Sequence, residues 1–446
     1  MYETAKTKSL VGSFISRLAS QRYFANTLWL IVGKVVNIVV TFLVGICVVR
    51  YLRPEGFGVL SYSMSIVTLF SVVASLELDL IVIRELVMHP NQRNELMGTA
   101  FMLKLVGSFL TLIAINFAFL FVHENAIINT IVLILATGLI FQSFNVIDFY
   151  FQAKVLSRYV VFSQLTSVII VSIAKMIFIY LKLPLTYFAS AVILESIIFA
   201  AGLIISFKQQ NHNIFEWRFN RGLAISLLKN CWPMILTGLC MSIYMRVDQI
   251  MIKQMLDVEA VGQYAAAVRL SEAGYFMPVV LCNSFFPAIL NAKNTSKKLY
   301  YDRLQKLYAL MIWIAIPVAF VITLAADRLV PFLYGKEFLG AASVLKIHIW
   351  AGVFVFLGTA SNRWLLAENF VKILLFRTSL GCIANIVFNY FAIPRYGLLG
   401  AAYGALLANI LATYLFDILH PKTRIAFVMK TKAFAYMFMW KYWFVK

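Results

Sequence analysis

The chain has 446 residues, of which 62% are apolar and 13% are charged, whereas a soluble domain has about 45–50% apolar and about 25% charged residues. With a mean hydropathy of +0.85, this composition excludes an ordinary soluble enzyme. The 39 lysines and arginines outnumber the 19 acids. Such a balance points to nucleic acid only if the basic residues form a solvated surface, so their location along the chain decides its meaning.

Apolar stretches long enough to cross a membrane recur along nearly the whole chain. A bilayer core needs about 20 helical residues, and the strands of a membrane barrel would be about half as long and alternating. We therefore predict an all-α integral membrane protein. Its twelve transmembrane helices are expected at 26–49, 59–82, 97–121, 126–148, 159–180, 184–207, 231–255, 263–290, 304–326, 342–366, 370–393 and 397–418.

The longest polar connection divides these spans into two sets of six. We predict a cytoplasmic basic lead-in (1–25), an N-lobe (26–207), a cytoplasmic linker (208–230), a C-lobe (231–418) and a cytoplasmic basic and aromatic tail at the membrane interface (419–446). Most basic residues lie in segments that are cytoplasmic if the N-terminus is. Because basic residues concentrate on the cytoplasmic side, both termini are expected there. Membrane orientation thus accounts for the charge, and no nucleic-acid partner is expected.

A short motif follows the first span of each set. The segments Leu52–Gly58 and Leu256–Gly262 both read LxxExxG, and each leads into an apolar span. The equivalent positions predict two homologous bundles. Since each has an even number of spans, the bundles share one orientation and surround a central cavity, an arrangement that permits alternating access.

Three further segments carry a family resemblance. Asp248–Tyr264, with Phe286-Pro287 at the end of the next span, resembles the multidrug/oligosaccharidyl-lipid/polysaccharide (MOP) exporter superfamily, as do Leu333–Phe338 and Ile393–Ala402. Within that superfamily the chain resembles a Wzx-type O-antigen flippase of the polysaccharide biosynthesis branch. The resemblance implies two pseudo-symmetric six-helix lobes, like those of MATE transporters.

The same resemblance implies a substrate and a location. The substrate would be an undecaprenyl-diphosphate-linked oligosaccharide, moved from the cytoplasmic to the periplasmic leaflet of the bacterial inner membrane. O-antigen polymerase and the chain-length machinery are the candidate protein partners. The resemblance implies no enzymatic step.

Charged residues inside the spans are candidates for the transport pathway, because each would cost about 2.5–3.5 kcal/mol if it faced lipid at mid-membrane. A diphosphate that crosses the membrane requires cations in the cavity, whereas buried carboxylates can carry a coupling H⁺ or Na⁺. We predict a diphosphate and sugar cavity lined by Lys34, Asn37, Arg246, Arg269 and Arg377, and ion coupling at Glu195, Asp248 or Glu272.

Structural alternatives compete with these roles. Lys34 lies about eight residues inside its span, with Asn37 on the same helical face, so that face should line water or ligand. Arg269 and Glu272 are three residues apart and could form a structural ion pair with each other. Lys104 lies near a span end, where a lysine can reach the membrane surface.

Other chemistries have little support in the sequence. The dispersed cysteines and histidines predict no disulfide, metal site or cofactor, and no GxxxxGK[ST] motif indicates ATP. A multidrug cation antiporter would favour an acidic cavity, and a lipid II exporter would be expected to have two further helices. An O-antigen polymerase or polyprenyl-linked glycosyltransferase would be expected to carry a large external loop or an acidic catalytic motif.

Overall fold

The computed structural model describes residues 2–121 and 124–436, and their side chains from residue 26 onward except at 27 and 28. The side chains of the predicted lead-in and residues 437–446 of the predicted tail lie outside it. No strand occurs among the described residues. Helices are the expected solution for apolar spans, because lipid offers no partner to a backbone polar group. The helices are α1 Tyr2–Ser75, α2 Asp79–Met88, α3 Arg93–Phe121, α4 Ala126–Phe141, α5 Val146–Ala153, α6 Ser157–Tyr180, α7 Leu185–Gln209, α8 Arg221–Met255, α9 Val258–Glu272, α10 Phe276–Thr295, α11 Lys297–Tyr334, α12 Leu339–Ala367, α13 Val371–Tyr396, α14 Leu398–Ile410, α15 Phe416–Leu419 and α16 Arg424–Tyr436.

The predicted all-α membrane architecture is confirmed. Within the described part of the chain, eleven helical segments are long and apolar enough to cross a membrane. The first, Trp29–Met88, has 60 residues, and the part of it that belongs to α1 is by itself about 70 Å of helix at about 1.5 Å per residue. That length accommodates the first two predicted spans, so eleven segments can account for the twelve that the sequence predicts.

Helices extend into two segments that the sequence predicts as connections. The α1 helix runs through the predicted loop between the first two spans, with a single break at Arg53 (φ 57°). Pro54 follows that break, in a first-turn position where its missing N–H is tolerated. The α8 helix begins within the predicted linker 208–230, because the Asn220 side chain accepts a hydrogen bond from the Leu223 amide (3.2 Å) and caps the helix.

The predicted eighth span, 263–290, is two helices, α9 and α10. The α9 helix begins at Val258, where Asp257 caps it by accepting a hydrogen bond from the Ala260 amide at 2.7 Å. Glu259 in its first turn lies at the positive end of the helix dipole, which favours an acid. Asp257 and Glu259 of the second LxxExxG copy therefore stabilise the first turn of the α9 helix.

Contacts divide the chain into two compact units, unit one (Met1–Gly45 with Phe70–Ile235) and unit two (Ile46–Leu69 with Leu236–Lys446). The core of unit one is built from fully buried apolar side chains such as Leu78, Met97 and Phe151. The division into N-lobe and C-lobe stays a prediction. Residues 46–69, predicted in the N-lobe, belong to unit two.

The two LxxExxG copies pack against each other within unit two. A Cβ atom added at Gly58 would overlap the carbonyl oxygen of Val258, and one added at Gly262 would overlap that of Pro54. Pro54 and Val258 occupy equivalent positions of the motif, as do the two glycines, so the contact is reciprocal. It explains why both copies have glycine at this position, since only glycine lets the two backbones approach this closely.

Lys104 is buried, although its position near a span end predicts that it reaches the membrane surface. Its side chain is 4% exposed, 4.0 Å from Asp79 and 5.0 Å from the ring centre of Phe149. The expectation that it reaches the membrane surface is therefore wrong, because the packing of α3 turns this lysine toward the interior of unit one.

Lys430, in the predicted interfacial tail, is fully buried on α16. The α16 helix packs on α11, where the Gln305 side chain donates a hydrogen bond to the Met429 carbonyl at 2.9 Å. Lys430 is thus unavailable to lipid headgroups, while the membrane placement of the tail stays a prediction.

Candidate functional site

A polar cavity of about 260 Å³ lies inside unit two, lined by residues of α8, α9, α10, α12, α13 and α14 and of the π-helical turn Leu411–Leu415. It is partly open, and its wall carries several ionisable and amide side chains. Three of the residues predicted from sequence meet there. Its main polar lining consists of Tyr244, Asp248, Glu272, His348, Asn362 and Arg377.

Asp248 is the centre of a buried hydrogen-bond network. The Tyr264 hydroxyl donates to its Oδ2 at 2.6 Å, and the Asn389 amide donates to its Oδ1 at 2.7 Å. Asn389 also donates to the Oδ1 of Asn385 (2.9 Å), whose own amide donates to the Tyr244 carbonyl (3.1 Å). Asn385 and Asn389 are one helical turn apart on α13, so both face α8. A buried acid whose direct partners are neutral donors can take up or release a coupling ion.

Arg377 is the cation of this cavity wall. It is 2% exposed, its Nη1 donates to the Ser361 hydroxyl at 2.9 Å, and its Nη2 donates to the side-chain oxygen of Asn362. Both partners are neutral. Because a buried charge is costly unless it is paired, a guanidinium with neutral hydrogen-bond partners is suited to an anion that enters the cavity.

Glu272 lines the cavity, where the charges that act on it are those of Arg246 and Asp248. Arg246 lies on α8 two residues before Asp248 and is half-buried, but it does not line the cavity. Residues two apart on a helix point in different directions. Asp248 therefore faces the cavity, whereas Arg246 lies on another side of the α8 helix.

Arg269 lies one turn before Glu272 on α9, is half-buried and does not line the cavity. The alternative of a structural ion pair between Arg269 and Glu272 stays a prediction.

The remaining predicted residues lie in unit one. Lys34 is exposed on α1, and Asn37, on the same helix, accepts a weak hydrogen bond from the Thr41 hydroxyl at 3.4 Å. Glu195 lies 3.9 Å from the Lys175 ammonium, and that ion pair gives Glu195 a structural explanation. Of the eight predicted residues, the ones that line the cavity are Asp248, Glu272 and Arg377.

Sequence reasoning missed the tyrosines and asparagines of the cavity wall and of the Asp248 hydrogen-bond network. Asn385 and Asn389 carried a usable signal, because two amides one turn apart in an apolar span need a polar environment. Tyr244 and Tyr264 carried none, since a tyrosine in an apolar span also fits an ordinary core. Among the described residues, no group of three or more His, Cys, Asp or Glu could hold a metal ion.

A second polar cluster lies in unit one, around His212 in the connection between α7 and α8. The His212 ring lies 2.9 Å from Arg93 through its Nδ1 and 2.8 Å from the Tyr150 hydroxyl through its Nε2. Burial, followed by the charge of Arg93, lowers the pKa of His212 below its ordinary value. A neutral imidazole can accept a hydrogen bond from the arginine, whereas a protonated one would repel it.

We expect this contact to weaken in acid. Since the pKa of His212 is lower in the folded protein, the stability it contributes is complete above the ordinary histidine pKa of about 6.5 and is lost as the pH falls through the folded value. The thermal unfolding temperature of the wild type should therefore fall more between pH 7.5 and pH 5 than that of His212→Gln. His420→Gln is the control and should follow the wild type; equal pH profiles for all three proteins would contradict the expectation.

Comparisons with known families agree with this fold. A model of the family described as polysaccharide biosynthesis protein matches residues 23–291, and the MatE model matches residues 233–391. No curated protein matches the sequence. The predicted resemblance to the MOP superfamily is confirmed.

Solved structures share the fold at low sequence identity. An inward-facing multidrug resistance MATE family transporter of the MOP superfamily superposes with a TM-score of 0.70 at 14% identity, covering 91% of this chain and 96% of that one. The lipid II flippase MurJ, in an inward closed conformation, gives 0.70 at 15% identity and covers 94% of each chain. The predicted MATE-like fold is thereby confirmed.

Proposed function

Because the chain belongs to the polysaccharide biosynthesis protein family, we propose that it is a flippase for an undecaprenyl-diphosphate-linked oligosaccharide. It would move this lipid from the cytoplasmic to the periplasmic leaflet of the inner membrane by alternating access, with both termini in the cytoplasm. The O-antigen repeat unit is the proposed cargo.

Arg377 is the observation that carries this proposal. Its guanidinium is buried in the wall of a polar cavity and hydrogen-bonded to neutral side chains. A diphosphate supplies negative charge and accepts several hydrogen bonds from one guanidinium. The MurJ structure, a lipid II flippase by its description, supports a lipid-linked cargo.

A multidrug exporter is the second candidate. The MatE match over residues 233–391 and the acids Asp248 and Glu272 in the cavity favour it. A cationic drug would bind these carboxylates, whereas Arg377 in the same wall would repel it.

The leaflet that holds the lipid-linked oligosaccharide distinguishes these functions. We would delete the gene in its host and treat intact spheroplasts with a sugar-modifying enzyme or lectin that cannot enter the cytoplasm. Single repeat units that accumulate on the cytoplasmic leaflet would support the flippase. Periplasmic single units that remain unpolymerised would indicate a polymerase, and normal intermediates would favour the multidrug exporter.

We also propose that Asp248 carries the coupling ion, H⁺ or Na⁺. Asp248→Asn is expected to keep the hydrogen bond from Tyr264 but remove the ionisable group, so transport in proteoliposomes should lose its dependence on an imposed ion gradient. Glu195→Gln, at the acid paired with Lys175, is the control and should keep that dependence. Gradient-dependent transport by Asp248→Asn would exclude Asp248 as the coupling residue.

A further inference from the structure

A fully buried ion pair joins the tail helix α16 to the membrane-spanning helices of unit two. The Lys430 ammonium lies 2.7 Å from Asp417 Oδ2, and both side chains are 0% exposed. The same ammonium donates to the Thr413 carbonyl at 2.6 Å. Thr413 belongs to the π-helical turn Leu411–Leu415, where the backbone hydrogen-bond pattern departs from that of an α-helix.

The ion pair is connected to the cavity through one hydroxyl group. Ser361 Oγ accepts a hydrogen bond from Lys430 at 3.1 Å and another from Arg377 at 2.9 Å. Two cations therefore converge on one neutral oxygen. Asp417, which contacts Lys430 directly, also interacts electrostatically with Arg377.

In this arrangement the Asp417 carboxylate interacts with two cations, Lys430 and Arg377. Burial lowers the pKa of Lys430, and the Asp417 carboxylate opposes that shift. With Asp417 bound to Lys430, Arg377 has neutral direct partners, and the cluster of these three side chains carries one excess positive charge. Without Lys430, Asp417 would be a buried, uncompensated anion, which is strongly unfavourable. Arg377, which already shares Ser361 with Lys430, is then the cation placed to compensate it.

We propose that Lys430 is a positioning residue that holds Asp417 away from Arg377 and so keeps the Arg377 charge available to a diphosphate in the cavity. This inference rests on the proposed function. It gives the tail helix a role in substrate binding, although Lys430 itself does not line the cavity.

The test measures binding of undecaprenyl diphosphate to the full-length protein in nanodiscs. Lys430→Met should weaken binding about tenfold or more, because Asp417 then neutralises Arg377. The double variant Lys430→Met/Asp417→Asn removes the competing carboxylate as well and should bind within about threefold of the wild type. Lys432→Met, at an exposed lysine on the same helix, is the matched control and should bind as the wild type does.

A merely structural role for Lys430 would give a different pattern, because Lys430→Met would then weaken binding of the uncharged lipid undecaprenol as much as binding of undecaprenyl diphosphate. That result, or unchanged binding by Lys430→Met, would overturn the inference. Should Lys430→Met fail to fold, Asp417→Asn decides instead, because it removes the competing carboxylate and keeps Lys430: binding at least as tight as that of the wild type supports the inference, and weaker binding overturns it. If the wild type itself does not bind undecaprenyl diphosphate, the proposed function fails, and the inference fails with it.

Discussion

Arg377→Met is expected to reduce transport of the lipid-linked oligosaccharide to background. The substitution removes the buried guanidinium from the cavity wall, together with its hydrogen bonds to Ser361 and Asn362. Hydrogen bonds to charged groups contribute about 1.5–3 kcal/mol, so binding of the diphosphate should fall by about tenfold or more. Transport in proteoliposomes and binding in nanodiscs measure the two effects.

The control for this substitution is Arg328→Met, which removes an exposed arginine of α11 outside the cavity. It should transport as the wild type does, and membrane levels of both variants must match the wild type. Unchanged transport by Arg377→Met would remove this residue from the site. The same measurement on Lys34→Ala decides whether the exposed lysine of α1 belongs to the pathway, as the sequence predicts.

Replacing either glycine of the reciprocal contact should prevent the two LxxExxG copies from packing. A methyl group at Gly58 or Gly262 would overlap a backbone carbonyl oxygen, which cannot move aside as a flexible side chain can. Overpacking typically costs about 1–3 kcal/mol, so the packed arrangement should become about fivefold to 150-fold less populated. Transport should fall with it if the arrangement is part of the cycle.

Cross-linking reports on this packing directly. Ser65 and Gln249 form a 2.9 Å hydrogen bond between α1 and α8, and cysteines at both positions should cross-link efficiently in the wild-type background. Gly58→Ala or Gly262→Ala should reduce the yield. Gly56→Ala serves as the comparison, because its added methyl would meet only the Leu52 side chain at ordinary distance. Equal yields in all backgrounds would show that the close approach is not required.

The pattern of residues along the chain was enough to predict the all-helical membrane fold and the approximate spans. Runs of about 20 apolar residues leave the backbone no alternative to a helix in lipid. The same pattern identified the motif whose two copies pack together, and three residues that line the cavity. These signals are local or periodic, so they can be recognised without knowing which helices pack together.

Which charges meet depends on the tertiary packing alone. Glu195 and Asp248 look equivalent in sequence, since each is an acid inside an apolar span, yet one pairs with Lys175 and the other accepts hydrogen bonds from Tyr264 and Asn389. Lys430 has the sequence context of an interfacial tail, yet it is buried against Asp417. Hydrogen bonds and ion pairs act over a few ångströms, so the packing of helices distant in sequence selects the partners.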